Sequence, residues 1–559
     1  LALSAATASN SAASPRPDRS GSLWRVGVAG TALLIALPVL IIAGSLLGGY
    51  SSTWQHLLDT VLRDYVLNSL LLMLGVGVGT FVLGVSAAWL TAMCEFPGRR
   101  FFSWALLLPM AMPAYIIAYT YTGLLDYPGP VQSWLRATFD WSYGDYWFPA
   151  IRSLGGAICM LSLVLYPYVF LLVRVAFQEQ STAVLEASRS LGRSLPSSFF
   201  RVALPLARPA IAAGVSLALM ETLADYGTVA YFGVSVFTTG IFRTWYGLGE
   251  LWTAAQLAAF LLLFVLALYS LERLSRRRLR FYPGGNRAQA RRLALRPEAA
   301  VAATLGASLL LTAGFLLPAG WLAAQVLEAP ARALEPEFLA LVGNSALLAG
   351  LAALVCLGLA LFIGYGRRLY PGASQTVAAG IASMGYAVPG TVVAVGVLVP
   401  FAWFDNSVDS WLREHLGIST GLLLSGTLGA LVFAYVVRFL SVALQTVEAG
   451  LARIRPSIDE SARALGHAPG SLLRRVHVPM LRNSLMIASL LVFVDVLKEL
   501  PTTLILRPFN FNTLAVRAHE LASDERLTDA ALPALSIVLI GLLPVILLTR
   551  HSGQRASTP

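Results

Sequence analysis

The sequence predicts an all-α polytopic membrane protein of about twelve transmembrane helices, organised as two tandem six-helix repeats. Three observations carry this prediction. The 559 residues are 57% hydrophobic and only 12% charged, with a mean hydropathy of +0.70, a balance foreign to an ordinary soluble globule. Apolar runs of about 20 residues, enough to cross a bilayer, recur along the whole chain. Landmarks of the first half return in the second at a nearly constant offset.

Residues 1–22 are rich in Ala, Ser and Pro without periodicity and read as a disordered tail with no apolar core of a cleavable signal. Six apolar runs follow near 24–48, 67–95, 102–126, 151–177, 209–232 and 252–272, forming a first unit over 23–272. A polar linker at 273–297 contains Pro283-Gly284-Gly285, which stops any helix. Six more runs, near 299–326, 344–366, 376–403, 421–447, 483–505 and 531–550, make a second unit over 298–550, with a short tail at 551–559. Asn68-Ser69 and Asn344-Ser345 are 276 residues apart, as are Pro113 and Pro389.

Charge sets the orientation. The net charge of +11 comes from arginines in short loops beside apolar runs, the positive-inside pattern and not a nucleic-acid surface. Arg99-Arg100, the linker cluster, Arg367-Arg368 and the stretch Arg453 to Arg482 mark one side, while Asp140, Asp145, Asp405 and Asp409 mark the other. Both termini are therefore expected in the cytoplasm of a multi-pass membrane protein surrounded by lipid. Each half has an even number of spans, so the halves insert in parallel and meet about an axis along the membrane normal, with a pathway at their junction.

Cys94, Cys159 and Cys356 fall inside apolar runs without metal-ligand spacing and read as core filler. Lys498 is the only lysine, and Leu497 precedes it, so no GxxxxGK[ST] phosphate loop exists. No HExxH or GxSxG motif appears either. The chain is expected to be a transport subunit and not an enzyme, binding no cofactor of its own.

The most specific signal is a repeated polar loop. Residues 186–205 read EASRSLGRSLPSSFFRVALP and residues 460–479 read ESARALGHAPGSLLRRVHVP. Glu186 answers Glu460, Gly192 answers Gly466, and Pro205 answers Pro479, each 274 residues apart. Each copy predicts two short helices around a glycine turn, the second amphipathic. Phe199 and Val202 in one copy, and Leu473 and Val476 in the other, form an apolar stripe beside Arg201 and Arg475. Ser457 and Glu460 have the spacing of a capping box. A short amphipathic helix between spans is suited to dock in another protein's groove.

Directly after each loop comes a second constellation. Glu221 and Asp225 match Asp495 and Glu499 at the same offset of 274, and the i, i+4 spacing predicts that both acids of a pair share one helix face. At about 2.5–3.5 kcal/mol each, four lipid-facing carboxylates would cost on the order of 10 kcal/mol. They must face a hydrated or paired interior. Gly227 and Pro501 sit two residues after the second acids, where the helix can break toward a cavity. Two readings stay open: a substrate pathway, or packing salt bridges made with Lys498, Arg243 and Arg517.

The pattern Glu-[Ala/Ser]-x(4)-Gly, with Pro 13 residues after the glycine, resembles the EAA loop of ABC-importer membrane subunits, which inserts a coupling helix into the ATPase. The stretches ETLADYGTVAYFGVSVFTTGIFRTW and DVLKELPTTLILRPFNFNTLAVRAHELASDERL are similar to those of ferric-iron-type ABC permeases. This resemblance implies two type I importer permease repeats fused in one chain of the bacterial inner membrane. It implies a homodimeric ABC ATPase carrying ATP and Mg, and a periplasmic substrate-binding protein, as partners. Coupling then falls to Glu186, Gly192, Phe199, Arg201, Pro205, Glu460, Gly466, Leu473, Arg475 and Pro479, and a substrate pathway to Glu221, Asp225, Asp495 and Glu499, with transient Fe³⁺ contact there. Carboxylate oxygens suit a hard cation. Thiamine, polyamine and phosphonate importers share the architecture, so those cargoes remain alternatives. An ion-coupled secondary transporter also fits twelve spans with intramembrane acids, but it needs no docking loops.

Overall fold

The computed structural model describes residues 19–277, except 143, 180–189, 191 and 193, and residues 293–554, except 329. The N-terminal segment 1–18, most of the linker and Glu186 lie outside the described residues. The fold is almost wholly helical. Ten described helices are long and apolar enough to cross a membrane, and twelve spans result if each of two bent pairs counts as one. Those pairs are Arg99–Ala111 with Ala114–Phe139, bent by 93°, and Phe199–Leu206 with Arg208–Ala224, bent by 67°. Lipid-directed faces are apolar at helical spacing, as at Leu67, Leu71, Leu74, Val78 and Val82 on the helix Leu62–Met93.

The matched landmarks have local physical causes. Asn68 donates through Nδ2 to the Ser235 carbonyl at 2.9 Å, and Asn344 to the Asn512 carbonyl at 3.2 Å. The adjacent Ser69 and Ser345 hydroxyls accept from the backbone N–H groups of Phe237 and Leu514. Each Asn-Ser pair thus holds the irregular backbone that follows an acid pair, satisfying polar groups that lipid would leave bare. Pro113 and Pro389 are the N-cap residues of the helices Ala114–Leu125 and Gly390–Leu416, with φ of −59° and −55°.

Four of the apolar runs are broken: the run at 102–126 divides at the bend between Arg99–Ala111 and Ala114–Phe139, and two of the other three break where expected, beside Gly227 and Pro501. The run at 209–232 divides into Arg208–Ala224 and the short helix Gly227–Tyr231. The run at 483–505 divides into Val478–Leu497 and Pro501–Leu506. The run at 376–403 divides into Ala373–Ala382 and Gly390–Leu416 around a short turn at Gly385–Ala387. In the last two, the proline starting or preceding the new helix cannot donate to the preceding turn, so the ladder is interrupted there.

The halves interlock. The first helix, Arg19–Ser45, packs on the second half: Trp24 stacks on Phe362 with ring centroids 4.7 Å apart. A Cβ on Gly396 would lie 2.5 Å from the Pro38 carbonyl oxygen, so that helix contact requires glycine. Reciprocally, the span opening the second half, Pro297–Glu328, packs on the first, where Tyr121 Oη donates to the Ala313 carbonyl at 2.7 Å. Leu293-Ala294, just after the linker, pairs in parallel with Cys94-Glu95.

Candidate functional site

Between the halves lies a cavity of about 130 Å³ whose lining includes Glu221, Asp225, Asp495 and Glu499. The four acids are therefore brought together, two from each half. They are not paired along one helix face, however. Glu221 lies in the last turn of Arg208–Ala224, and Asp225 lies beyond its end with ψ at 133°. Asp495 lies within Val478–Leu497, and Glu499 lies past its C-cap Lys498. A shared face needs a continuous helix, and the helices end before Asp225 and Glu499.

The breaks give the members of each pair different work. Asp225 accepts from the Thr228 hydroxyl at 2.9 Å and the Val229 N–H at 3.2 Å. Glu499 accepts from the Thr502 hydroxyl at 2.7 Å and the Thr503 N–H at 3.2 Å. Each carboxylate thus satisfies the exposed first turn of the following short helix. Asp495 Oδ1 pairs with Lys498 Nζ at 2.9 Å. Glu221 has no hydrogen-bond or ion-pair partner among the described residues and borders the cavity.

Of the expected counter-charges, Lys498 alone pairs with a cavity acid among the described residues. Arg438 Nη1 meets Glu499 Oε1 at 2.7 Å with both side chains nearly buried. Arg517 pairs instead with Glu337 at 2.9 Å, and Arg243 lines a separate cavity. Sequence reasoning missed Arg438, although an arginine inside the apolar run 421–447 was itself the signal. Four carboxylates face two cations in the lining, so its formal charge is negative by two. Tyr115, Tyr168, Tyr226 and Tyr386 add phenolic oxygens, with Met110 and Met112 beside them.

A second cavity of about 270 Å³ adjoins the first, and Tyr226 lines both. The Tyr226 ring stacks on Phe242 at 3.8 Å between centroids. The Tyr226 ring also lies edge-on to His519 with centroids 6.0 Å apart, and His519 Nδ1 meets Tyr119 Oη at 2.5 Å, so aromatic residues from both halves meet at this ring.

The repeated polar loops converge on one geometry. Gly192 and Gly466 have φ of +80° and +79°, the left-handed region that favours glycine. After them come Leu195–Ser198 and Pro469–Leu472, each running into a wider helical turn at Phe199–Ala203 and Leu473–His477. Pro205 and Pro479 stand just beyond, at the head of the helical segments that lead on to the cavity acids. Arg201, Glu460, Arg475 and Pro479 are exposed. Ser457 does not cap a helix: Pro456 takes the first helical position, which places Ser457 inside Pro456–Ala464.

Comparison with known proteins agrees with this geometry. The family described as binding-protein-dependent transport system inner membrane component matches residues 80–281 and again 356–558. The chain is 25% identical over 516 residues to the Fe(3+)-transport system permease protein FbpB 2 of Haemophilus influenzae, covering 90% of this chain and 93% of that protein. It is 28% identical over 225 residues to a probable sulfate transport system permease of Chlorokybus atmophyticus, covering 38% of this chain and 76% of that one. The molybdenum transport system permease ModB of Haemophilus influenzae is 27% identical over 150 residues, covering 27% of this chain and 62% of the relative. With two family domains in tandem and a cavity built from both, the chain belongs to the binding-protein-dependent ABC-importer permeases, as a fused two-repeat member.

Proposed function

We propose that this permease admits ferric iron, received from a periplasmic binding protein, and that a separate pair of identical ATPase chains drives it. The observation that carries the cargo reading is the lining of the cavity between the halves, with its excess of two carboxylates and its four tyrosines. Hard oxygen donors suit Fe³⁺. Because Asp225 and Glu499 are engaged in capping and Asp495 is paired, the site offers few free oxygens. That favours transient passage over a trapping cage. The similarity to the ferric permease spans nearly the whole chain, whereas the sulfate and molybdenum relatives match about one repeat or less. Arg438 and Lys498 are the groups an oxyanion would use, and both are already neutralised by Glu499 and Asp495.

Uptake of radioactive ferric iron, sulfate and molybdate, measured in cells depleted of their own importers, tests the cargo. Iron uptake that depends on this chain and on ATP supports the reading. Uptake of either oxyanion instead replaces it.

Orientation is tested separately. Cysteines placed at Ser194 and Ser471 in the repeated loops should be labelled only from the cytoplasm. Cysteines at Asp145 and Glu414 should be labelled from outside. Glu414 is preferred to the neighbouring Asp409, whose carboxylate accepts from Ser419, Thr420 and Gly421 and holds its own loop. Reversed labelling would overturn the orientation read from the arginines.

A further inference from the structure

The two halves carry different chemistries at matched positions beside the repeated loops. In the second half, Arg368 near the end of the helix Pro336–Leu369 reaches across to the coupling segment. Its Nε donates to Asp459 Oδ2 at 2.7 Å, and its Nη atoms donate to the carbonyls of Leu451 at 2.6 Å and Ile454 at 2.9 Å. Asp459 is buried on Pro456–Ala464, and its Oδ1 lies 2.8 Å from Nε2 of the fully buried His477, off the hydrogen-bond direction. One turn before Arg368, Tyr365 Oη donates to the Pro469 carbonyl at 2.9 Å, and its ring lies 5.2 Å from that of His477. These contacts bind both short helices around Gly466 to one span.

The first half replaces every member with an apolar residue. Counted in register from Asn68 and Asn344, Tyr365 corresponds to Trp89 and Arg368 to Ala92. At the loop's own offset of 274, Asp459 corresponds to Leu185 and His477 to Ala203. There Trp89 packs edge-on against Phe199 of the coupling segment, with centroids 4.8 Å apart, and against Phe177 at 5.4 Å. Ala92 and Ala203 are buried.

We infer that Arg368, Asp459, His477 and Tyr365 are positioning residues that make the second coupling segment a rigid transmission arm, where the matched described positions of the first half offer packed rings. The inference rests on the reading of these loops as ATPase-docking segments. A planar guanidinium with several fixed acceptors sets both distance and orientation. Packed rings set distance but tolerate sliding. ATP-driven movement at the second loop therefore passes through this network into the span that carries Asp495.

The test copies the first half's residues into the second: Arg368→Ala, Asp459→Leu and His477→Ala together. The permease is purified with its ATPase and reconstituted in vesicles, and ATP hydrolysis is measured with and without the binding protein as isolated with its native cargo. In the triple variant the amount of bound ATPase and the basal hydrolysis should stay unchanged. Stimulation by the binding protein should fall at least about fivefold, the lower end of typical site-to-site coupling. Arg368→Ala alone should lower the yield of complex further than the triple variant does, because it leaves Asp459 buried without its partner. Tyr365→Phe removes the hydroxyl that donates to the Pro469 carbonyl and keeps the ring, so it should assemble normally and lower stimulation to a smaller extent. Undiminished stimulation in the triple variant overturns the inference; if the triple variant fails to assemble, undiminished stimulation in Tyr365→Phe does so. Failure of the wild-type chain to bind any ATPase would instead refute the docking reading itself.

Discussion

Gly192→Pro and Gly466→Pro should each abolish transport and reduce recovery of the ATPase with the permease. Both glycines hold φ near +80°, whereas proline is locked near −65°. Among the described residues neither glycine has a neighbour that an added Cβ would meet, so the penalty is one of backbone and not of crowding. A mismatch of this kind costs about 3 kcal/mol or more. It depletes the docking arrangement of the two short helices about a hundredfold or more, since each 1.4 kcal/mol is about tenfold in population. Gly→Ala at the same positions costs only about 1–2 kcal/mol and should leave measurable uptake. The graded series separates a conformational requirement from mere intolerance of change. Uptake and ATPase co-purification at wild-type levels in both proline variants would sink the docking assignment.

These glycines were legible in the sequence for the same reason that Asn68, Asn344, Pro113 and Pro389 were. Each occupies a place where local backbone chemistry admits few residue types, so the duplicated chain repeats it at a fixed interval. Apolar runs of bilayer length likewise announce spans, because lipid imposes one requirement on every outward face. What the spans do with one another was less legible. Trp24 stacking on Phe362, or Pro38 against Gly396, exchanges the first helix into the other half. Apolar packing of that kind leaves no mark that one sequence displays. The acids were found but their geometry was misjudged. The break expected at Gly227 and Pro501 is present, but it takes Asp225 and Glu499 off the shared helix face and turns the second acid of each pair into a cap. Arg438 is inconspicuous in the sequence because its neighbours along Leu428–Leu451 are almost all apolar and its partner Glu499 lies 61 residues away.

That division of labour among the acids sets the last expectation: Glu221→Gln should depress cation transport strongly with assembly intact, whereas Glu499→Gln should fail first in assembly. Glu499 neutralises the nearly buried Arg438 at 2.7 Å and caps Pro501–Leu506. Removing one partner of such a pair leaves a bare buried charge, at a cost of about 3–5 kcal/mol. Reduced yield and a lowered unfolding temperature should therefore accompany any loss of uptake. Glu221 contributes no comparable bond among the described residues, yet it borders the same cavity. A carboxylate about 8 Å from a passing ion contributes on the order of 2 kcal/mol per ionic charge at an effective dielectric constant of about 20. The loss for a multivalent cation should thus exceed tenfold, at about 1.4 kcal/mol per decade. Uptake by Glu221→Gln and by Glu221→Asp, compared at equal amounts of folded permease, decides the matter, with Asp expected to restore part of the rate. Normal uptake in Glu221→Gln would remove the pathway role. The surviving account would then be a cavity whose acids serve only to cap helices and balance Arg438 and Lys498.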